Sequence, residues 1–307
     1  MKDKYTSIGG QALIEGVMMR NGAKVAMAVR KSNGEIELKQ ETHASKFAGI
    51  SKIPFLRGIF ALIASMSVGV KALTWSAEFF EDGTETEPES KFEVWMRDKF
   101  GKKADDILIG LSMAFAVVMA FGLFGALPTL IISLTKRWVS DPLILSSMEG
   151  VMKIVMFIGY VAAISLMPDI KRVFQYHGAE HKVIYTYESG DALTVENARK
   201  YTRLHPRCGT SFLLLVLITS IIIFSFVSWT SPIMRIGMKI LFFPLIAGLS
   251  FEIIKFTGKH DNALVRIITW PGLMVQNLTT KEPDDSQLEV AIASLKGVLD
   301  ETEEVVS

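Results

Sequence analysis

The sequence predicts an α-helical multipass membrane protein, with about four transmembrane helices plus interfacial helices and a small N-terminal β-meander. Three observations carry that prediction. Apolar residues make up 50% of the 307-residue chain, and its mean hydropathy is +0.33. Much of the excess lies in four apolar runs, 107–134, 148–168, 211–230 and 234–256, and roughly 20 residues at 1.5 Å each cross a hydrocarbon core. Ahead of them, Asn21-Gly22 and Asn33-Gly34 punctuate strand-like sequence. Asn-Gly supplies the two positive-φ residues of a tight hairpin turn.

Residues 1–52 form the predicted meander, with strands at Leu13–Arg20, Ala23–Ser32 and Glu35–Thr42. The alternation in Glu35-Ile-Glu-Leu-Lys suits a sheet with one wet face, and so small a sheet must pack on something. Residues 53–106 hold a short apolar helix and an acidic loop. The apolar run 58–70 is bracketed by Arg57 and Lys71, which fits a re-entrant or interfacial helix better than a span. The stretch 81–90 is acidic, lacks an apolar anchor and reads as a flexible surface loop.

Residues 107–168 form the first transmembrane pair, 169–210 a cytoplasmic loop rich in His and Cys, and 211–256 the second pair. Residues 257–307 hold an interfacial segment and a cytoplasmic tail helix. In the interfacial segment, 263–276, the apolar run is interrupted by Arg266 and Pro271, and Trp270 suits headgroup level. In the tail, Leu288, Ile292, Leu295 and Leu299 fall at helical spacing, a docking face for the same protein or for a partner.

Basic residues concentrate in 169–210, at Lys171, Arg172, Lys182, Arg199, Lys200, Arg203 and Arg207, and in the segments before 107 and after 256. The short connections carry little: Lys136 and Arg137 in one, Arg235 just beyond the other. The positive-inside rule then places both termini and the 169–210 loop in the cytoplasm. The N-terminal residues lead into no apolar core with a cleavage site, so no cleavable signal peptide is expected. A single Cys excludes an internal disulfide and gives no sign of an oxidising compartment. The net charge of only +1 says little about nucleic acid or acidic partners; the expected partners are the lipid bilayer and a membrane protein, with no nucleic acid.

The chemistry-bearing residues are concentrated. Of five His and one Cys, three His and the Cys fall in His177-Gly-Ala-Glu180-His181 and His205-Pro-Arg-Cys208. Two His four apart share one helix face, and imidazole and thiolate are ligands of zinc-like metals. The form H-x-x-E-H is that of inverted zinc proteases, in which the Glu acts as general base, although nothing else here resembles their large soluble halves. A catalytic zinc needs a third protein ligand and an open position. His205 and Cys208 are the candidates for that ligand, with Glu252 in the last span and the His260-Asp261 pair also in view. Four protein ligands would make the site structural; a spare His205 or Cys208 would make it catalytic.

Alternatives stay open for each residue. His177 and His181 read as metal ligands, a hydrogen-bonded interfacial pair, or an acid/base pair. Cys208 reads as a ligand, an inert residue at a helix start, or a nucleophile activated by Arg207 and a helix N-terminus. Glu15 is a carboxylate among apolar residues, either part of a site or a turn residue, and His43 reads as solvated.

Four stretches resemble one bacterial family: Gly9-Gly-Gln-Ala-Leu-Ile-Glu-Gly-Val-Met-Met-Arg20, Tyr176-His-Gly-Ala-Glu-His-Lys182, His205-Pro-Arg-Cys-Gly-Thr-Ser-Phe212 and Pro271-Gly-Leu-Met-Val-Gln-Asn-Leu-Thr-Thr-Lys-Glu-Pro-Asp284. These are similar to motifs of the YqhQ-like membrane proteins, a family of unknown function described as predicted metal-dependent enzymes. The resemblance covers nearly the whole chain and implies a multipass protein of the bacterial cytoplasmic (inner) membrane, without a reaction. It places Gln11, Glu15 and Arg20 in a family motif. Glu15 is then expected to be a ligand, a partner of a ligand or an acid/base group.

Two functional classes follow. In the first, the chain is a zinc-dependent hydrolase at the cytoplasmic membrane face. His177 and His181 hold the divalent metal, His205 or Cys208 completes the site, and Glu180 is general base with Glu15 assisting. Its substrate is a lipid headgroup, a lipid-linked metabolite or a membrane-protein segment. In the second, it is a non-enzymatic biogenesis or scaffold factor whose metal or His cluster staples the loop. A transporter fits less well, since the spans read as poor in buried polar residues and show no paired half-helices.

Overall fold

The N-terminal sheet has four antiparallel strands in sequential order, β1 (Gly9–Leu13), β2 (Gly16–Asn21), β3 (Lys24–Arg30) and β4 (Ile36–Thr42). These belong to a computed structural model that describes residues 8–43, 56–80, 90–101, 104–228, 231–258, 260 and 262–299. The acidic stretch at 81–89 and Asp261 lie outside the described residues. The strand beyond the three expected is β1, which lies ahead of the run 13–20 and is separated from β2 by a turn at Ile14-Glu15. There Leu13 pairs with Gly16, and Glu15 takes a left-handed φ of 49°. The Asn21-Gly22 turn is shifted by one residue from expectation. Asn21 pairs with Lys24, so Gly22, with φ 60°, is the first of the two turn residues.

Both faces of β2 and β3 are buried, which the expected wet face did not anticipate. Period-2 alternation sends Val17, Met19, Ala26 and Ala28 to one side and Met18, Val25, Met27 and Val29 to the other. The second face is covered by Val68, Ala72 and Trp75 of α1 (Leu56–Ala77) and by Phe79 and Phe80 beyond it. This helix runs well past Lys71, since an exposed lysine does not stop a helix as Pro or Gly would. The first face is covered by α6 (Pro168–Ser189) and α11 (Asp285–Lys296). Leu288, Ile292, Leu295 and Leu299 all enter that core, so the tail stripe docks on its own chain. A capping box between Asp284 and Gln287 starts α11.

Between these come α2 (Lys91–Phe100), α3 (Ala104–Phe121), a π-helical turn (Gly122–Ala126), α4 (Leu127–Leu134), a 3₁₀ turn (Thr135–Arg137) and α5 (Pro142–Ile164). After α6 follow α7 (Val195–Arg199), α8 (Gly209–Ser225), α9 (Pro232–Thr257) and α10 (Ala263–Thr279). Among the described residues, four helical stretches are long and apolar enough to cross a membrane: Arg57–Ala77, Ile107–Arg137, Pro142–Ile164 and Pro232–Thr257. The expected span at 211–230 is a shorter apolar helix, Gly209–Ser225. Pro271 does not interrupt α10, which continues through it.

The chain divides into two compact units. One comprises Met1–Phe80, Ile158–Ser220 and Phe243–Ser307, and contains the sheet, α1, α6, α10 and α11. The other comprises Glu81–Phe157 and Ile221–Phe242.

Candidate metal centre

Helix α6 carries the centre, and its ends are well defined: Pro168 opens it and Gly190, left-handed at φ 78°, closes it. Its faces divide the work. Tyr176, Ala179 and Val183 enter the core against the sheet and α11. His177, His181, Tyr185 and Glu188 look toward the 203–211 segment, as spacings of four and three residues on a helix require. Gly178 meets a third neighbour. A Cβ there would collide with the backbone carbonyl of Lys281, so the motif needs Gly where the α10–α11 connection crosses.

Three of the four predicted ligands converge. The donor atoms of His177, His181 and Cys208 all lie within 4.8 Å of one another. His177 Nε2 is 3.1 Å from Cys208 Sγ, and its Nδ1 is 2.8 Å from the carbonyl oxygen of Thr279. His181 Nδ1 is 2.6 Å from the carbonyl oxygen of Arg203. A carbonyl only accepts, so each Nδ1 carries its ring's proton, and both Nε2 atoms present lone pairs toward the thiol. One S–H proton can satisfy only one of two lone pairs. A divalent cation with a thiolate satisfies all three donors, and a ligating His usually donates its other N–H to a carbonyl in this way. The donor set therefore fits a zinc-like metal.

Electrostatics agree with that arrangement. Burial pulls the His181 imidazole below its ordinary pKa, which favours the neutral, ligating form. Burial alone would raise the Cys208 thiol. Its contacts with His181 and Thr210 outweigh burial and hold it below the ordinary value. Thr210 contributes its hydroxyl at 3.2 Å and its backbone N–H at 3.4 Å from the sulfur.

Gln276 holds the segment that supplies Cys208 and the Arg203 carbonyl. Fully buried, it accepts from the His205 N–H through Oε1 at 2.7 Å. Its Nε2 donates to the His205 carbonyl at 2.7 Å and to Ser211 Oγ at 2.9 Å. Arg203 donates to the Thr280 carbonyl at 2.9 Å, tying the same loop to the end of α10.

Glu180 is 5% exposed, and burial pushes its carboxyl up to about 7 against the opposing effects of His177 and the Gly10 N–H. A Cβ at Gly10 would lie 2.9 Å from Glu180 Cδ, so β1 reaches the site only because this residue is Gly. A carboxyl of that pKa can both take up and return a proton near neutrality.

The remaining predicted residues lie elsewhere. His205 is outside the converging group: its Nε2 faces Glu188 at 3.8 Å, and its ring packs on Tyr185 at 4.6 Å. Burial lowers its pKa while Glu188 opposes that. Glu15 is bonded by Arg172 and by Tyr176 Oη at 3.2 Å. Glu252 pairs with Arg57 at 2.6 Å, His260 stacks on Phe256, and His43 contacts Glu41.

Sequence reading missed Gly10, Gln276 and a whole second cluster. The spans are not poor in buried polar residues: Glu149 and Lys153 of α5 and Arg235 and Lys239 of α9 are all buried. Their signal was Glu149-x-x-x-Lys153 and Arg235-x-x-x-Lys239, two charged pairs at helical spacing within apolar sequence.

Residues 53–301 match the model of a family described as a protein of unknown function, DUF1385. The chain is 37% identical over 300 residues to the uncharacterised protein YqhQ of Bacillus subtilis (strain 168), covering 95% of this chain and 92% of that protein. No solved structure matches it significantly.

Proposed function

This chain belongs to the DUF1385 family, and on that premise we propose an integral protein of the bacterial cytoplasmic membrane that binds a divalent metal, zinc, and is a hydrolase at the cytoplasmic face. The single observation that carries the metal reading is the pair of Nε2 lone pairs aimed at one thiol, each ring fixed by a carbonyl at its other nitrogen. His177, His181 and Cys208 hold the ion. When bound, such an ion polarises a substrate oxygen and lowers the pKa of water to about 7. Glu180 takes the proton from the attacking water and returns it to the leaving group, and the Gly10 N–H keeps its carboxylate in place. Gln276 positions Cys208 through the 205–208 backbone. Glu15 orients α6 against the β1–β2 turn through Arg172 and Tyr176.

Topology supports a site on one side of the bilayer. The sheet, α6 and α11 share one core, so they lie on the same side. An even number of crossings must then separate the sheet from α6. With α3–α4 and α5 crossing, α1 does not, despite its length. From Val68 onward α1 packs on the sheet, which leaves too little of it for the roughly 20 residues a span needs. The basic residues of 169–210 support a cytoplasmic assignment of that side. In α10, Leu264, Ile267, Trp270 and Met274 are exposed along one face, as suits a helix lying in the interface.

The deep burial of His181 and Cys208 favours a second reading, a structural metal that staples α6 to the 203–208 segment in a biogenesis or scaffold factor. Metal analysis of detergent-purified protein with turnover of micellar esters and phosphate esters separates the two. The hydrolase reading expects about one zinc per chain, lost in His177→Ala, with Glu180→Gln keeping zinc and losing turnover. A metal-free, freshly prepared wild type would sink both.

A further inference from the structure

The buried cluster in the second unit joins three cations to one carboxylate. Arg235 Nε donates to Glu149 Oε2 at 2.8 Å. Lys153 Nζ lies 3.1 Å from Glu149 Oε1, and Lys239 bonds that same oxygen. Relative exposures are 1% for Glu149, 4% for Lys153, 1% for Arg235 and 5% for Lys239, so solvent does not screen them. Two ammonium groups on one carboxylate oxygen are not neutralised by it, least of all when Arg235 holds the other oxygen. Buried charges are costly, and in apolar helices they mark ligand or ion sites.

The surroundings supply neutral acceptors. Lys239 Nζ donates to the carbonyl of Gly125 at 2.8 Å, inside the π-helical turn Gly122–Ala126, and also to Thr129 Oγ1. Single π-turns of this kind occur often at functional sites. A carbonyl or hydroxyl oxygen on an ammonium can give way to an anionic oxygen at little cost in hydrogen bonds. Helix rise places Glu149 about 10 Å and Lys153 about 16 Å along α5 from its first residue, within a core about 30 Å thick. This depth rests on the membrane-spanning reading above.

We propose that Lys153 and Lys239, with Arg235, form an anion site within the helices of this unit that takes a phosphate-type oxyanion, from a phospholipid headgroup or as free phosphate. Among the described residues the acid on Lys153, Arg235 and Lys239 is Glu149, and the anion adds negative charge to it. Its chemistry is the converse of the His/Cys centre, and neither site needs the other.

Thermal unfolding of full-length protein in dodecyl maltoside tests this, with inorganic phosphate against chloride at equal ionic strength, and phosphatidate micelles against neutral glycolipid micelles. Ligand at about 100 times its Kd should raise the wild-type midpoint by about 5 °C or more. Lys153→Met should lose that shift and keep or raise its basal midpoint, and Lys153→Arg should retain it. A shift with phosphatidate alone assigns the site to a lipid headgroup; a shift with inorganic phosphate as well assigns it to the free oxyanion. No wild-type shift in either arm, or an equal shift in Lys153→Met, overturns the proposal. So does failure of both Lys153→Met and Lys153→Gln to fold, which would make Lys153 a structural counterion of Glu149. Resistance of the protein to extraction from membranes by alkaline carbonate tests the spanning reading separately.

Discussion

The two polar clusters of this protein are opposites in what they present. At the His177/His181/Cys208 centre, lone pairs converge and the protons point outward to carbonyls. At the Glu149 cluster, protons converge on a single carboxylate from three cations. Converging lone pairs suit a cation, and converging N–H groups suit anionic oxygens. The neutral set tolerates its environment by tautomer choice and lowered imidazole basicity. The charged set depends on its counterion. Removing a donor should therefore empty the first site and leave the fold, whereas removing the acceptor should destabilise the fold at the second.

The largest effect follows from breaking the charged set. Glu149→Gln leaves three buried cations without their carboxylate and should destabilise by about 3–5 kcal/mol, read as a fall in the unfolding midpoint and in membrane yield. Wild-type stability in this variant would mean the cations are not charged together. A smaller cost is expected at the neutral centre from Gly178→Ala, whose Cβ collides with the Lys281 carbonyl. Overpacking against backbone should cost about 1–3 kcal/mol and lower zinc content by displacing the Thr279 carbonyl from His177.

Gln276→Ala sharpens the contrast further, because Gln276 touches no ligand side chain and only fixes the loop that carries Cys208. Zinc affinity should fall by about 10–100-fold in a chelator competition, with little loss of fold. Unchanged affinity would show that Cys208 is positioned by other contacts. Smallest of all is Glu15→Gln. Its partner Arg172 is 51% exposed, so the pair is worth under about 1 kcal/mol and zinc content should not change. A loss of zinc in Glu15→Gln would move Glu15 into the centre.

Much of the architecture was legible because it rests on local pattern. Apolar runs, Asn-Gly pairs and the i, i+4 histidines are read within one or two turns of chain. The turn at Ile14-Glu15 was not, since no Gly or Asn marks it, and the left-handed Glu15 is anchored by Arg172 and Tyr176 over 150 residues away. The charged pairs of α5 and α9 were each visible, but Arg235 read as a loop charge because its partner lies 86 residues earlier.

From its sequence alone the protein had its long apolar helices, most of its strands and the donor types His177, His181 and Cys208, because spacing and residue chemistry are local properties. Tertiary structure alone decided that His205 turns to Glu188 rather than to His177, His181 and Cys208, that Gly10 makes room for Glu180, and that one carboxylate serves three cations. Each of those depends on which distant backbone or charge arrives beside a side chain, and burial then sets how strongly the two must be matched.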